Sequence, residues 1–280
     1  MANSPASPPE DRPRRRISSI ENALRILVLL SEGDGSSGVS DLSRRLGIGK
    51  SSVHDALAML REYRFVDRDP AGRYVLGLRA FEVGAATVNQ RVGPDLAPLM
   101  ERLAYATSEA VSLAVMDDDA ALIVQRFESS HVLRADMRLG TRMALHASAS
   151  GKVMLAQLTG AELERLYPDE SLPRVALATV STKAALTDEL EQIRAAGYAV
   201  NRDELVEGIS AVACPVFERT GALLGALSIA GPTARFDPGQ WIGALLDTAG
   251  EMSALPTDGA LLAAPQPAPR TVAPHEPRVR

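Results

Sequence analysis

The stretch that decides the fold is Val39 to Tyr63, VSDLSRRLGIGKSSVHDALAMLREY. Ser40 opens a short helical pattern in which Leu42 and Leu46 fall four apart on one face, with Arg44 and Arg45 on the other. Gly47-Ile48-Gly49 breaks it, and Gly47 permits the left-handed backbone that ends a helix. A longer helix then starts near Lys50 or Ser51 and reaches about Tyr63, with Val53, Leu57 and Leu60 as its buried stripe. A short helix, a glycine-rich three-residue turn and a longer helix make a helix-turn-helix, whose second helix enters the major groove of DNA.

The flanks extend the motif. Ile20, Leu24, Leu27 and Leu30 recur at helical spacing, so Ser19 to Ser31 is predicted as a preceding helix. Downstream, Phe65 to Arg68 and Arg73 to Leu76 enclose Asp69-Pro70-Ala71-Gly72, which predicts a hairpin, the wing of the motif. The candidate DNA-contacting residues are Ser40 on the first helix and Lys50, Ser51, Ser52, His54 and Asp55 at the start of the second. Arg68 and Arg73 of the wing are expected on the backbone or in the minor groove, and Arg61 on phosphate. The plainer alternative is a helical hairpin whose serines are caps.

Charge supports the nucleic-acid reading. The whole chain of 280 residues carries a net charge of -5, which argues against a polycation that coats nucleic acid. Between Arg12 and Arg79, however, 13 basic residues face 8 acidic ones, and the remainder of the chain is acidic. With 46% hydrophobic residues the chain can bury a sizeable core. One cysteine, Cys214, excludes an internal disulfide framework, and four scattered histidines form no compact metal motif. No cofactor is expected. No apolar run reaches the roughly 18 residues of a membrane span, and a cytoplasmic protein is the expectation.

Beyond the wing, Leu78 to about Val92 is predicted as a linker helix, after which Pro94 and Pro98 punctuate the chain. Residues 93–254 then mix helices and strands, an α+β pattern around an antiparallel sheet. The strands expected are Ala110 to Met116, Ala120 to Glu128, Tyr198 to Asn201, Ile209 to Phe217 and Ala222 to Ala230. Helices are expected at Leu99 to Thr107, Ser150 to Leu158, Lys183 to Ala196 and Gln240 to Met252. Residues 1–16, which include Arg14-Arg15-Arg16, and residues 255–280 are Pro-rich and are expected to be disordered arms. The domain boundaries are thus 17–77 for the winged helix, 78–92 for the linker and 93–254 for the second domain.

Two segments give the chain a family likeness. SIENALRILVLLSEG followed by SDLSRRLGIGKSSVHDALAMLREYRFVDRDPAGRYVLG resembles the winged helix-turn-helix of IclR-type transcriptional regulators. LHASASGKVMLA and GYAVNRDELVEGISAVACPVFERTGALLGALSIAGPTAR resemble the same family's effector domain, and the likeness covers about Ser18 to Leu255. The resemblance implies a DNA-reading domain, a linker helix and a C-terminal GAF-like domain that binds a small effector and helps form a homodimer or a dimer of dimers. It implies that Asp203, Glu204, Cys214 and Ser228 form one wall of the effector pocket. The other wall is expected at Ser148, Ala149 and Ser150, where small residues before a helix leave backbone N–H groups for an organic carboxylate. Met143, Leu145, Ile209 and Val212 are the expected apolar lining.

Competing motifs are weaker. Gly33 to Gly38 satisfies G-x-G-x-x-G, but the next helix is too short for a dinucleotide-binding crossover. Gly151-Lys152 lacks the flanking Gly and Ser or Thr of a phosphate loop. Cys214 with His146 lacks a third group for nucleophilic catalysis. Not an enzyme is therefore the expectation; the alternative is a small-molecule enzyme or sensor whose N-terminal domain contacts protein.

Overall fold

The computed structural model describes residues 19–32, 35–91, 95–135 and 137–255. The expected arm at 1–16, and the expected tail beyond Leu255, lie outside the described residues. The chain divides into two compact units, Met1–Thr87 and Val88–Arg280.

The first unit holds helices α1 (Ser19–Ser31), α2 (Val39–Leu46) and α3 (Lys50–Glu62), with strands β1 (Ser36–Ser37), β2 (Val66–Arg68) and β3 (Tyr74–Leu76). Ile26, Leu30, Leu42, Val53, Leu57 and Val66 are each at most 1% exposed and form one cluster. Burying each such side chain contributes about 1.5–3 kcal/mol, which fixes the three helices against one another. Gly47 ends α2 at φ 67°, ψ 30°, and its N–H donates to the Ser43 carbonyl. Gly38, not Ser40, stands at the N-cap of α2; Ser40 lies exposed in its first turn. The wing is three-stranded in the order β1-β3-β2, because Ser36–Ser37 pairs with Val75 and Tyr74. That first strand is only two residues long and carries no alternation to read. Helix α4 (Leu78–Arg91) follows, and the boundary between the units falls within it.

The second unit begins with α5 (Leu96–Thr107). Pro98 sits inside its first turn, where a missing N–H costs no intrahelical bond, so the helix starts three residues earlier than expected. Next come β4 (Ala110–Asp117), β5 (Ala120–Phe127) and β6 (Arg142–Ala144). The helices α6 (Ala149–Leu155), α7 (Gly160–Leu166) and α8 (Lys183–Ala196) follow. The chain closes with β7 (Ala199–Arg202), β8 (Ile209–Phe217), β9 (Leu223–Pro232) and α9 (Ile242–Ala254). The six strands form one antiparallel sheet in the order β6-β5-β4-β9-β8-β7. One face packs on α6 and α8 through Ala114, Ile123, Ala213, Val153 and Leu190; the other packs on α5 and α9 through Val111, Leu113, Val212, Met100 and Leu245.

One irregularity governs the site. Strand β5 carries a bulge against β4: Leu113 pairs with Gln125 but Ala114 pairs with Ile123, so Val124 is an extra residue. Side chains alternate across a strand, and an extra residue reverses the alternation beyond it. Ala121 and Ile123 face α6; past the bulge, Arg126 pairs with Ser112 on that same face.

Candidate functional site: a nucleic-acid interface and an effector cavity

All nine candidate DNA-contacting residues are exposed: Ser40, Lys50, Ser51, Ser52, His54, Asp55, Arg61, Arg68 and Arg73. The periodicity explains this directly. Val53, Ala56, Leu57 and Leu60 turn inward, which leaves Lys50, Ser51, Ser52, His54, Asp55 and Arg61 on the outer surface of α3. Helix α3 starts behind Gly49, whose cap position carries no side-chain bond. The wing arginines are held more tightly. The Arg68 guanidinium donates to the Tyr74 hydroxyl at 2.6 Å and lies 4.8 Å from the ring centre. Arg73 donates to the Asp69 carboxylate at 3.0 Å, and the backbone N–H of Arg73 is the main cause holding the Asp69 carboxyl below its usual range. The wing is therefore ordered by contacts of its own, while α3 presents uncommitted side chains.

In the second unit a cavity of about 90 Å³ lies between the sheet and the start of α6. Ser148, Ala149 and Ser150 form its roof, and Ser112, Arg126, Ser228, Ala211 and Ala230 its floor. The roof is held by local chemistry. Ser148 caps α6 by accepting from the Gly151 N–H at 3.1 Å and donates to the Ala144 carbonyl at 3.0 Å. A Cβ on Gly151 would meet the Leu145 carbonyl oxygen at 2.2 Å, so only glycine lets α6 pack this close to the preceding turn.

Lys152 is no phosphate ligand. It is fully buried, donating to Glu189 at 2.6 and 2.8 Å and also to Glu204. Burial raises the Glu204 carboxyl, against the pull of Lys152. The pairing ties α6 both to α8 and to the loop after β7, whose Leu205 and Val206 line the cavity.

The wall expected opposite the roof is redrawn. Ser228 lines the cavity, but Asp203, Glu204 and Cys214 do not. Asp203, at φ 58°, accepts from the Gly208 N–H at 2.8 Å and the Thr233 hydroxyl at 2.7 Å, which fixes the loop rather than facing a ligand. Glu204 is spent on Lys152. Cys214 sits on the opposite face of β8, 3.7 Å from the Leu245 carbonyl, and burial pushes its thiol up to about 12. Parity is the reason: Ile209 and Ala211 point to the cavity, Val212 and Cys214 to α9. Met143 and Ile209 line the cavity as expected apolar groups, whereas Leu145 and Val212 lie in the two cores.

Three polar lining residues are not marked by the sequence, Ser112, Arg126 and Asn201. Asn201, 3% exposed, donates to the Ala147 carbonyl beneath the roof. Among the described lining residues none is acidic. A second, wider groove of about 580 Å³ runs along β6, past His146, Tyr167 and Arg142. Arg142 there is already engaged by Asp117 and Asp119, and the His146 ring is bonded to the Pro173 carbonyl at 2.7 Å. Among the described residues no group of three His, Cys, Asp or Glu side chains is placed to hold a metal, and no helix is long and apolar enough to cross a membrane.

A winged helix-turn-helix unit followed by an α+β unit with an internal cavity defines the class of helix-turn-helix transcriptional regulators. The chain belongs to the IclR family: residues 19–70 match the IclR helix-turn-helix domain, and residues 85–254 match the bacterial transcriptional regulator IclR C-terminal domain. It is 32% identical over 240 residues to the HTH-type transcriptional repressor AllR of Escherichia coli K12, covering 84% of this chain and 89% of that one. Among solved structures it is similar to IclR of Thermotoga maritima, with a TM-score of 0.69, 27% identity, and 84% and 97% of the two chains covered. An IclR homologue of Microbacterium hydrocarbonoxydans, solved in complex with 4-hydroxybenzoate, shares the fold at a TM-score of 0.74 and 24% identity, covering 84% and 98%. The family consists of transcriptional regulators, and this chain is one of them rather than an enzyme.

Proposed function

We propose that this regulator binds a specific operator as a homodimer, or as a dimer of dimers, and that a small organic acid in the cavity beneath α6 sets its affinity for DNA. The observation that carries the reading is the partly open, hydroxyl-lined cavity in a chain that also bears a winged helix with an exposed polar recognition surface. Lys50, Arg61, Arg68 and Arg73 contact phosphates, and Ser52 and His54 read base edges. Ser40, Ser51 and Asp55 flank them. Ser148, Ala149, Ser150 and Ser228 contact the effector. The bound 4-hydroxybenzoate of the Microbacterium homologue supports an organic acid as the ligand class.

Dimer formation is supported by exposed apolar surface among the described residues of the first unit. Ile20, Leu24 and Val28 make a stripe at four-residue spacing on α1, 71%, 57% and 60% exposed, and Leu78 and Phe81 are similarly exposed on α4. A dimer presents two copies of α3 about 34–36 Å apart, or a multiple of that, on a pseudo-palindromic site. The effector acts by binding the DNA-competent and DNA-incompetent states with different affinity. The chain works in the cytoplasm, where its operator is.

The test is a gel-shift assay with the DNA flanking the protein's own gene against random competitor, with and without small organic acids. A preferred fragment whose binding changes with one of the acids is the expected result. Equal affinity for all fragments, with or without acids, overturns the reading.

A further inference from the structure

We infer that Arg126 is the anchor for the effector's carboxylate. The inference rests on the effector reading above and names the chemistry of that site. The Arg126 side chain is 3% exposed. Its guanidinium donates from Nη1 to the Ser112 hydroxyl at 2.9 Å, from Nη2 to the Ala135 carbonyl at 2.6 Å, and from Nε to Glu128 at 2.9 Å. Those three bonds use three of its five N–H groups. One N–H on each terminal nitrogen has no partner among the described residues, and Arg126 lines the cavity.

A second buried donor stands on the roof. Ser150 is 3% exposed, lines the cavity, and its hydroxyl makes no hydrogen bond to any described residue. The Ser112 hydroxyl, which accepts from Arg126, still has its own proton to donate. These groups line the cavity and keep donor capacity that an acceptor on the ligand can take. An acceptor able to take two N–H groups of one guanidinium and a hydroxyl is a carboxylate.

The charge balance agrees. The described lining contains one cation and no carboxylate, and the carboxylate bonded to Arg126, that of Glu128, stays 54% exposed outside the cavity. The remaining lining, Ile123, Met137, Met143, Leu205 and Ile209, suits a short apolar body. A cavity of about 150 Å³ accommodates benzene, so about 90 Å³ holds roughly four non-hydrogen atoms, and the open side of the cavity leaves space for more. The carboxylate thus sits on the sheet side against Arg126, with Ser150 above it and the carbon chain toward the methionines.

The test uses the full-length wild-type protein and acid–amide pairs: acetate, propionate, lactate and pyruvate, each against its primary amide. Binding is read by thermal shift and calorimetry. The expected result is that at least one acid binds ten-fold or more tightly than its amide, and that Arg126→Gln abolishes the preference while Ser150→Ala reduces it several-fold. Arg126 also bridges β4, β5 and Ala135, so Arg126→Lys is run beside it; it keeps the charge and retains part of the preference. Equal binding of an acid and its amide, or an unchanged preference in Arg126→Gln, overturns the assignment. A neutral compound that binds and alters operator affinity overturns it too, yet leaves ligand control of DNA binding standing. If no acid binds and operator affinity never responds, both fall together.

Discussion

The two units use their polar side chains in opposite ways. In the first, Lys50, Ser52, His54 and Arg61 are exposed on a helix whose inner face alone is packed. In the second, Lys152, Arg126, Asn201 and Ser150 are buried, and all but Ser150 already serve as hydrogen-bond donors inside the protein. A surface built to meet a polyanion keeps its charges hydrated until it docks. A site built for a small molecule must have its charges desolvated and oriented in advance. Changes in the first unit should therefore alter DNA binding without altering stability, and changes in the second should alter both stability and ligand response.

The sharpest separation should come from Lys152→Met. It leaves Glu189 and Glu204 without their shared cation. Removing one member of a buried pair costs about 3–5 kcal/mol; the low end is expected, because Glu189 keeps 31% of its side chain exposed. Urea denaturation measures it, and a loss below about 1 kcal/mol would contradict the buried pairing. Gly151→Ala follows at about 2–3 kcal/mol, from the clash with the Leu145 carbonyl. An unchanged unfolding midpoint for that variant would mean the turn and α6 are not packed as described.

On the other side of the contrast, Ser52→Ala or His54→Ala should change discrimination at one operator position by about 1–3 kcal/mol, with stability unchanged. A uniform loss at every operator position would refute a base-reading role. Lys50→Ala should lower the salt slope of binding by about 0.9, because one phosphate fewer is neutralised, again with an unchanged unfolding midpoint. An equal slope in wild type and variant would place Lys50 off the DNA.

The smallest effect concerns pH. Burial is the main cause that lowers His146 below its ordinary value of 6.5, with Lys152 adding to it and the Pro173 carbonyl opposing it. The unfolded chain then binds a proton that the folded chain refuses, so stability is full above about pH 6.5 and declines as the pH falls toward the folded value. The raised Glu204 carboxyl acts in the opposite sense above about 4.5, which shallows the slope. His146→Asn should flatten the decline below about pH 6.5; an unaltered profile would assign the acid loss to another group.

The helix-turn-helix was readable in the sequence because every signal agreed. Leucine spacing gave the buried faces, Gly47 gave the turn, and Asp69 to Gly72 gave the wing. The roof of the cavity was readable too, since Ser148 is a helix cap. Cys214 is set apart by parity, which the likeness does not carry: the cavity-facing positions on β8 are Ile209 and Ala211. Arg126 was hidden for a related reason. Strict alternation along Ala120 to Phe127 groups it with Leu122 and Val124, away from Ala121 and Ile123, and only the bulge reverses that. Helix α7 carries a legible signal of its own, the Thr159–Glu162 capping box. Strand β6, three residues long, carries none.

In this chain the bulge at Val124, and not residue identity alone, puts a guanidinium against the cavity. Loss of the one extra residue would turn the guanidinium from the cavity into the layer beneath α5 and α9, although every other letter is kept. A single-codon deletion there would therefore remove a buried positive charge from the cavity while leaving the surrounding letters unchanged.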